Sequence, residues 1–162
     1  GTTADFGTTT LTYNRTYGSF YDSTTQTNPV ANAQNLMALG VTDMANNTFI
    51  TAGTRIVIQK AGNYNIQFSA QLSQTAGGAD NAYIWLKKNG VTVANSAGDT
   101  RIAGNGDRIM ASWNYLVTAA ANDYFEIAWA ASGTSVVLEA VAAAGVVPAI
   151  PSVILTVVPV GA

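Results

Sequence analysis

The 162-residue chain contains no histidine and no cysteine, and few charged side chains: seven Lys and Arg against nine Asp and Glu. Without histidine there is no imidazole base, no Ser–His nucleophile pair and no histidine metal ligand. Without cysteine there are no disulfides, and zinc or iron–sulfur sites lose their usual donors. A net charge of −2, with Lys87 and Lys88 as the one adjacent basic pair, excludes the clustered cations that a nucleic-acid backbone requires. The most apolar stretch, 128–160, is interrupted by Glu139, Pro148, Pro151 and Pro159. A membrane span needs about 20 uninterrupted apolar residues, so this stretch reads as buried strand and loop. No catalytic residue, cofactor site or metal site is expected, and no membrane partner.

Only 10% of the residues are charged while 48% are apolar, against about 25% charged in an ordinary soluble domain. Neutral Thr, Asn, Ser and Gln must cover part of the surface, and contact with another subunit must cover more. One domain suits this length. The start at Gly1 fits either a processed terminus or a fragment, and no basic-plus-apolar leader is visible.

Hydrophobic periodicity identifies strands. Over 63–73, Tyr64, Ile66, Phe68, Ala70 and Leu72 alternate with Asn and Gln or Ser, the pattern of a half-buried strand. Asn89-Gly90 between the apolar runs 83–88 and 91–93 marks a type I′ hairpin. In its first arm Ile84 and Leu86 lie on one face and Tyr83 and Trp85 on the other. Further strands read at 17–22, 49–51, 54–59, 109–118, 123–129, 135–141 and 152–158, the last apolar on both faces. Residues 109–118 place Trp113, Tyr115 and Val117 on one parity and Met110 and Leu116 on the other. Val30 to Val41 reads as strand or loop rather than helix. Residues 1–16, rich in Thr and Gly, read as an extended arm ahead of a domain at 17–162. Many short strands with regular turns and no helix indicate an all-β sandwich or barrel.

Remaining candidate sites have plainer readings. Glu126 and Glu139 are the chain's two glutamates, and a glycosidase needs two carboxylates, but both fall in strands and read as solvent or interface residues. Asp99 and Asp107 lie in Gly-, Ser- and Asn-rich sequence without calcium-loop spacing. Residues 104–107 form a turn, not a phosphate loop. Asn14-Arg15-Thr16 and Asn46-Asn47-Thr48 match a glycosylation pattern. Trp85, Trp113 and Trp129 could form a sugar platform, but read first as core or subunit contact.

Several segments resemble the complement/tumour-necrosis-factor-like jelly rolls: Ala61-Gly62-Asn63-Tyr64-Asn65-Ile66-Gln67-Phe68, Ile84-Trp85-Leu86-Lys87-Lys88-Asn89-Gly90, Asn122-Asp123-Tyr124-Phe125, and the closing strand Ser152-Val153-Ile154-Leu155-Thr156-Val157. Tyr17-Gly18-Ser19-Phe20-Tyr21-Asp22, Phe68-Ser69-Ala70-Gln71-Leu72 and Ala149-Ile150-Pro151-Ser152 are similar to jelly-roll domains of tailed-phage structural proteins. The resemblance implies a jelly-roll β-sandwich (TNF-like) that forms a homotrimer, with first and last strands near the three-fold axis. It implies a subunit interface at Phe20, Tyr21, Tyr83, Trp85, Ile154 and Val158. It further implies a virion structural protein at the capsid surface: a decoration (cement) protein whose partners are itself and the major capsid protein. The alternative is the receptor-binding tip of a phage tail fibre; a secreted complement-like protein ranks below both, and an enzyme last.

Overall fold

A computed structural model describes residues 16–160 and contains strands but no helix among them. The extended arm expected over 1–16 lies outside the described residues except for Thr16, which is buried, and so does Asn14.

The strands form two seven-stranded sheets. The front sheet holds β1 (Tyr17–Asp22), β2 (Gln26–Thr27), β4 (Val41–Asn46), β7 (Gly62–Gln74), β11 (Arg108–Ala119), β13 (Val136–Leu138) and β14 (Val153–Pro159). The back sheet holds β3 (Asn35–Leu36), β5 (Thr48–Thr51), β6 (Arg55–Ile58), β8 (Asp80–Lys88), β9 (Val91–Thr92), β10 (Gly98–Ile102) and β12 (Asp123–Ala131). Every named pairing is antiparallel, as expected of a jelly roll with one face of each sheet toward the core.

The alternation in β7 decides which side faces in. Tyr64, Ile66, Phe68, Ala70 and Leu72 are buried, while Asn65, Gln67 and Gln71 line the outer face. Opposite them the back sheet contributes Ile84 and Leu86 from β8, Phe125, Ile127 and Trp129 from β12, and Ile56 and Ile58 from β6. One edge of β7 bonds β11 over its whole length, from Arg108↔Ser73 to Ala119↔Gly62. The other edge bonds β13 and then β14, with Leu138↔Leu72 followed by Val153↔Ala70.

Asparagine shapes the turns. Asn32, Asn47, Asn89, Asn95 and Asn122 all have positive φ, a conformation that its short polar side chain tolerates. Asn89-Gly90 closes the predicted hairpin with φ of 50° and 80°, the type I′ signature. The 28–40 segment is a loop with one two-residue strand, β3, as the strand-or-loop reading expects. Neutral amides hold it: Gln26 Nε2 donates to Ala38 O, and Asn28 Nδ2 to Ala131 O and Gly133 O. Met37 and Leu39 are thereby set into the core.

Two expectations outside the interface residues fail. Residues 141–149, read as buried, are all solvent-exposed. Glu126, read as a solvent or interface residue, is buried on the outer face of the back sheet, where Arg55 Nε and Thr54 Oγ1 donate to its Oε1 at 3.3 and 3.0 Å. A buried carboxylate needs such partners.

Phe68 is buried against Tyr115, with ring centroids 6.1 Å apart. Phe68→Ala is expected to lower unfolding stability by about 3–5 kcal/mol, the range for large aromatic truncations, in chemical denaturation. An unchanged midpoint would contradict this register.

Candidate assembly surface

The outer face of the front sheet is built by residues of one parity from β11, β7, β14, β1 and β4. Register lines them up in rows across the strands. Leu116 lies beside Asn65, and Asn65 beside Val158. Asn114, Gln67, Thr156, Ser19 and Met44 form the next row, and Ser112, Ser69, Ile154, Tyr21 and Val41 the one after. Leu116 (70% exposed), Met110, Met44, Ile154, Val158 and Tyr17 are exposed on this face. Between them stand neutral amides and hydroxyls. The Oδ1 of Asn65 is shielded from solvent and accepts no hydrogen bond among the described residues, and such an atom is costly unless a donor reaches it.

Charge is concentrated elsewhere. On the back sheet, Arg55 pairs with Glu126 and lies 4.7 Å from the Tyr124 ring centroid. Lys87 and Glu126 are register neighbours, as are Asp99 and Tyr83. At the β8–β9 hairpin, Lys88 Nζ lies 2.8 Å from Asp123 Oδ2. On the front sheet the pair Arg108–Glu139, with contacts of 2.5 and 3.1 Å, marks one end. The rows between are uncharged except at the Thr42–Met44 irregularity of β4, where Asp43 sits.

An apolar finger rises from this face. After Leu138 the chain leaves the edge of β7, and it rejoins at Val153, opposite the next inward position. Both flanks of that line are occupied, by β7 on one side and by β2 and β1 on the other. The excursion must therefore leave the plane, and its exposure places it on the outer side. It is a narrow hairpin: Val141 bridges Ile150 and Ala144 bridges Val147. Gly145, at φ 59°, supplies the positive φ that a type II′ turn needs at its first central position. Residues 140–151 contain no charged side chain, and Val146 at the tip is fully exposed.

A cleft lies at the open edge of the sandwich. Among the described residues β11 bonds only β7, and β10 only β8, so the two sheets gape between them. The gap is a cleft of about 410 Å³ lined by Phe68, Ile84, Ile109, Trp113 and Tyr115 together with Ser96, Asp99 and Thr100. Trp113 has the inward parity of its register partner Phe68 but overhangs the edge, leaving it 66% exposed. Burial pushes the Tyr115 phenol up to about 12, and its hydroxyl donates to Ser96 O at 3.1 Å.

The predicted interface residues are distributed unevenly. Tyr21, Ile154 and Val158 share the front face, with Tyr21 and Ile154 as direct register neighbours. Tyr83 and Trp85 lie on the outer face of the back sheet, across the core from them. Phe20 is corrected: it is fully buried inside the subunit and offers nothing to a partner. It has the same parity as Gly18 and Asp22, whereas Tyr17, Ser19 and Tyr21 point outward. Met110 and Leu116, not singled out as interface residues, belong to the face; their shared parity in 109–118 is the signal that places them.

No catalytic constellation forms among the described residues. Glu126 lies in β12 of the back sheet, whereas Glu139, read as a strand residue, follows the end of β13 at the front sheet, each held by its own arginine. Asp99 sits in β10 and Asp107 in a turn, and no group of three acidic side chains converges among the described residues. The tryptophans do not form a platform: Trp129 is core, Trp85 half-buried on the back face, and Trp113 at the cleft.

No family model matches the chain, and no curated protein matches it at a significant level. Solved structures do match. The globular domain of a zebrafish complement 1qA protein, 11% identical, aligns over 88% of this chain and 95% of its own with a TM-score of 0.52. Murine APRIL, 5% identical, aligns over 90% and 99% with a TM-score of 0.57. At these identities the likeness is one of fold, and the fold is the TNF-like jelly roll.

The hairpin ion pair carries a pH signature. Hydrogen bonds from Lys88, Asn89 and the Ala120 N–H bring the Asp123 carboxyl from 3.8 down to about 2. A depressed folded value stabilises the fold above the unfolded pKa and is lost as pH falls through the folded one. Asp123→Asn is therefore expected to melt below the parent at pH 7, with the gap closing between pH 4 and pH 2. A gap that persists below pH 2 would contradict the assignment.

Proposed function

We propose that the chain is a virion structural protein: a homotrimeric decoration protein that clamps a phage head by non-covalent contact. The observation that carries the self-association is the front face itself. Its leucine, valine, isoleucine, methionine and tyrosine side chains are exposed on four strands, β11, β14, β1 and β4, with the amides and serine of β7 between them and almost no charge among them. Monomers rarely leave large contiguous apolar patches in water. A sandwich buries one face of each sheet, so these outer side chains are removed from water only by another molecule. The mirror-image arrangement, charge on the front and neutrality on the back, would have pointed to the other sheet.

The capsid setting rests on the phage-like segments at 17–22, 68–72 and 149–152 and on the lack of a reacting centre among the described residues. In this reading the trimer acts mechanically. Its buried front sheets hold three copies together, and its outward surface bridges capsomers.

Ile154→Asp and Val158→Asp each place a carboxylate in the middle of the face, where assembly would bury it without a partner. Both variants are expected to remain folded by circular dichroism, to elute as monomers, and to be lost from purified heads in a mass-spectrometric binding assay. Variants that assemble and bind heads like the parent would overturn the reading.

A further inference from the structure

A closed three-fold ring cannot be made by one patch meeting itself. Rotational trimers use a heterologous contact, in which one surface of each copy meets a different surface of the next. The front face supplies one surface, and the chain must supply another that fits it. Two features are candidates for that contact. The finger at 140–151 is a narrow, uncharged projection from the front face, ending in Val146 and Val147. The cleft between β10 and β11 is a cavity of about 410 Å³ in which Phe68, Ile84, Ile109 and Trp113 stand among Asn95, Ser96, Thr100 and Ser112, opening at the sandwich edge.

We propose that the finger of one subunit seats its Val146–Val147 tip in the β10–β11 cleft of the next, beside Trp113. This rests on the trimer reading above and names the contact that closes it. The tip carries no hydrogen-bonding side chain, so it asks for an apolar receiver, which Phe68, Ile84, Ile109 and Trp113 provide. Asp99 is the one charged residue in the lining, and it stands on the rim strand β10, where it can stay wet. Seating the tip would remove two exposed hydrophobic features from water at once: a fully exposed valine, and a tryptophan two-thirds exposed. It would also cover the edge of β11 that bonds no strand among the described residues. A lipid surface suits the finger less well. Interfacial segments use Trp, Phe or Leu with Lys or Arg, and 140–151 has none of these.

Because the chain has no cysteine, the contact can be trapped. Val146→Cys and Thr100→Cys put one thiol on the tip and one on the cleft wall; a disulfide forms only if the Cα atoms come within about 7 Å. Under mild oxidation the double variant is expected to run as covalent dimer and trimer on a denaturing gel, while each single variant runs as monomer. A mixture of the two single variants, reannealed, should give covalent dimers and stop there. If the double variant sediments as a trimer but stays monomeric on the gel, the finger is not in the cleft, although the trimer stands. Covalent dimers without trimers from the double variant would also overturn it, since they signal a two-fold contact. If the unmodified protein sediments as a monomer, both the trimer and the finger contact fall.

Discussion

β7 carries two strand lines, with β11 bonded to one edge and β13 followed by β14 to the other. The rest of the front sheet depends on that double pairing. Its five inward side chains seat the sheet on the core, and its neutral outward ones leave the middle strip of the opposite face without charge. The second strand line is interrupted opposite Gln71: Glu139 N donates to Gln71 O, Gln71 N donates to Ser152 O, and the intervening residues are looped out. With β7 on one side and β1 and β2 on the other, the loop has nowhere to go in the plane of the sheet. One backbone constraint, the break in the strand line opposite Gln71, thus produces the apolar projection beside the neutral face.

The two sheets differ in how they meet water. The back sheet carries ion pairs and a cation–π contact on its outer side, and even its buried Glu126 is neutralised by Arg55. The front sheet uses amides, hydroxyls and bare aliphatic side chains. Amides and hydroxyls suit a surface that is wet in a free chain and dry in an assembly, because they lose less on desolvation than charges do. The scarcity of charge over the chain is therefore a local property with a direction, concentrated on the surface assigned to self-contact.

Much of this was legible in the sequence, for physical reasons that vary by residue. β7 and the β8–β9 hairpin were readable because half-buried strands alternate and because Asn89-Gly90 demands positive φ. β10 was missed: of its five residues only Ile102 reaches the core, so Asp99 and its neighbours read as loop. β4 was missed because it is mostly exposed and its register slips opposite Ser19 and Phe20. Phe20 and Tyr21 are adjacent and aromatic, and composition cannot say which points inward; the small Gly18 on the same parity, packed under the Phe20 ring, decides it. Tyr83 and Trp85 do face away from the core, but on the other sheet. The finger was misread because an apolar run without charge looks the same in sequence whether it is buried or exposed.

The central claim is that the neutral front face is an interface between copies, and the mass of the unmodified protein in solution tests it most directly. Sedimentation equilibrium at micromolar concentration should return a single species of about 50 kDa, three times the 16.8 kDa chain, as obligate interfaces of about 2,000–5,000 Å² would maintain. A single species at the mass of one chain, stable over that concentration range, would contradict it.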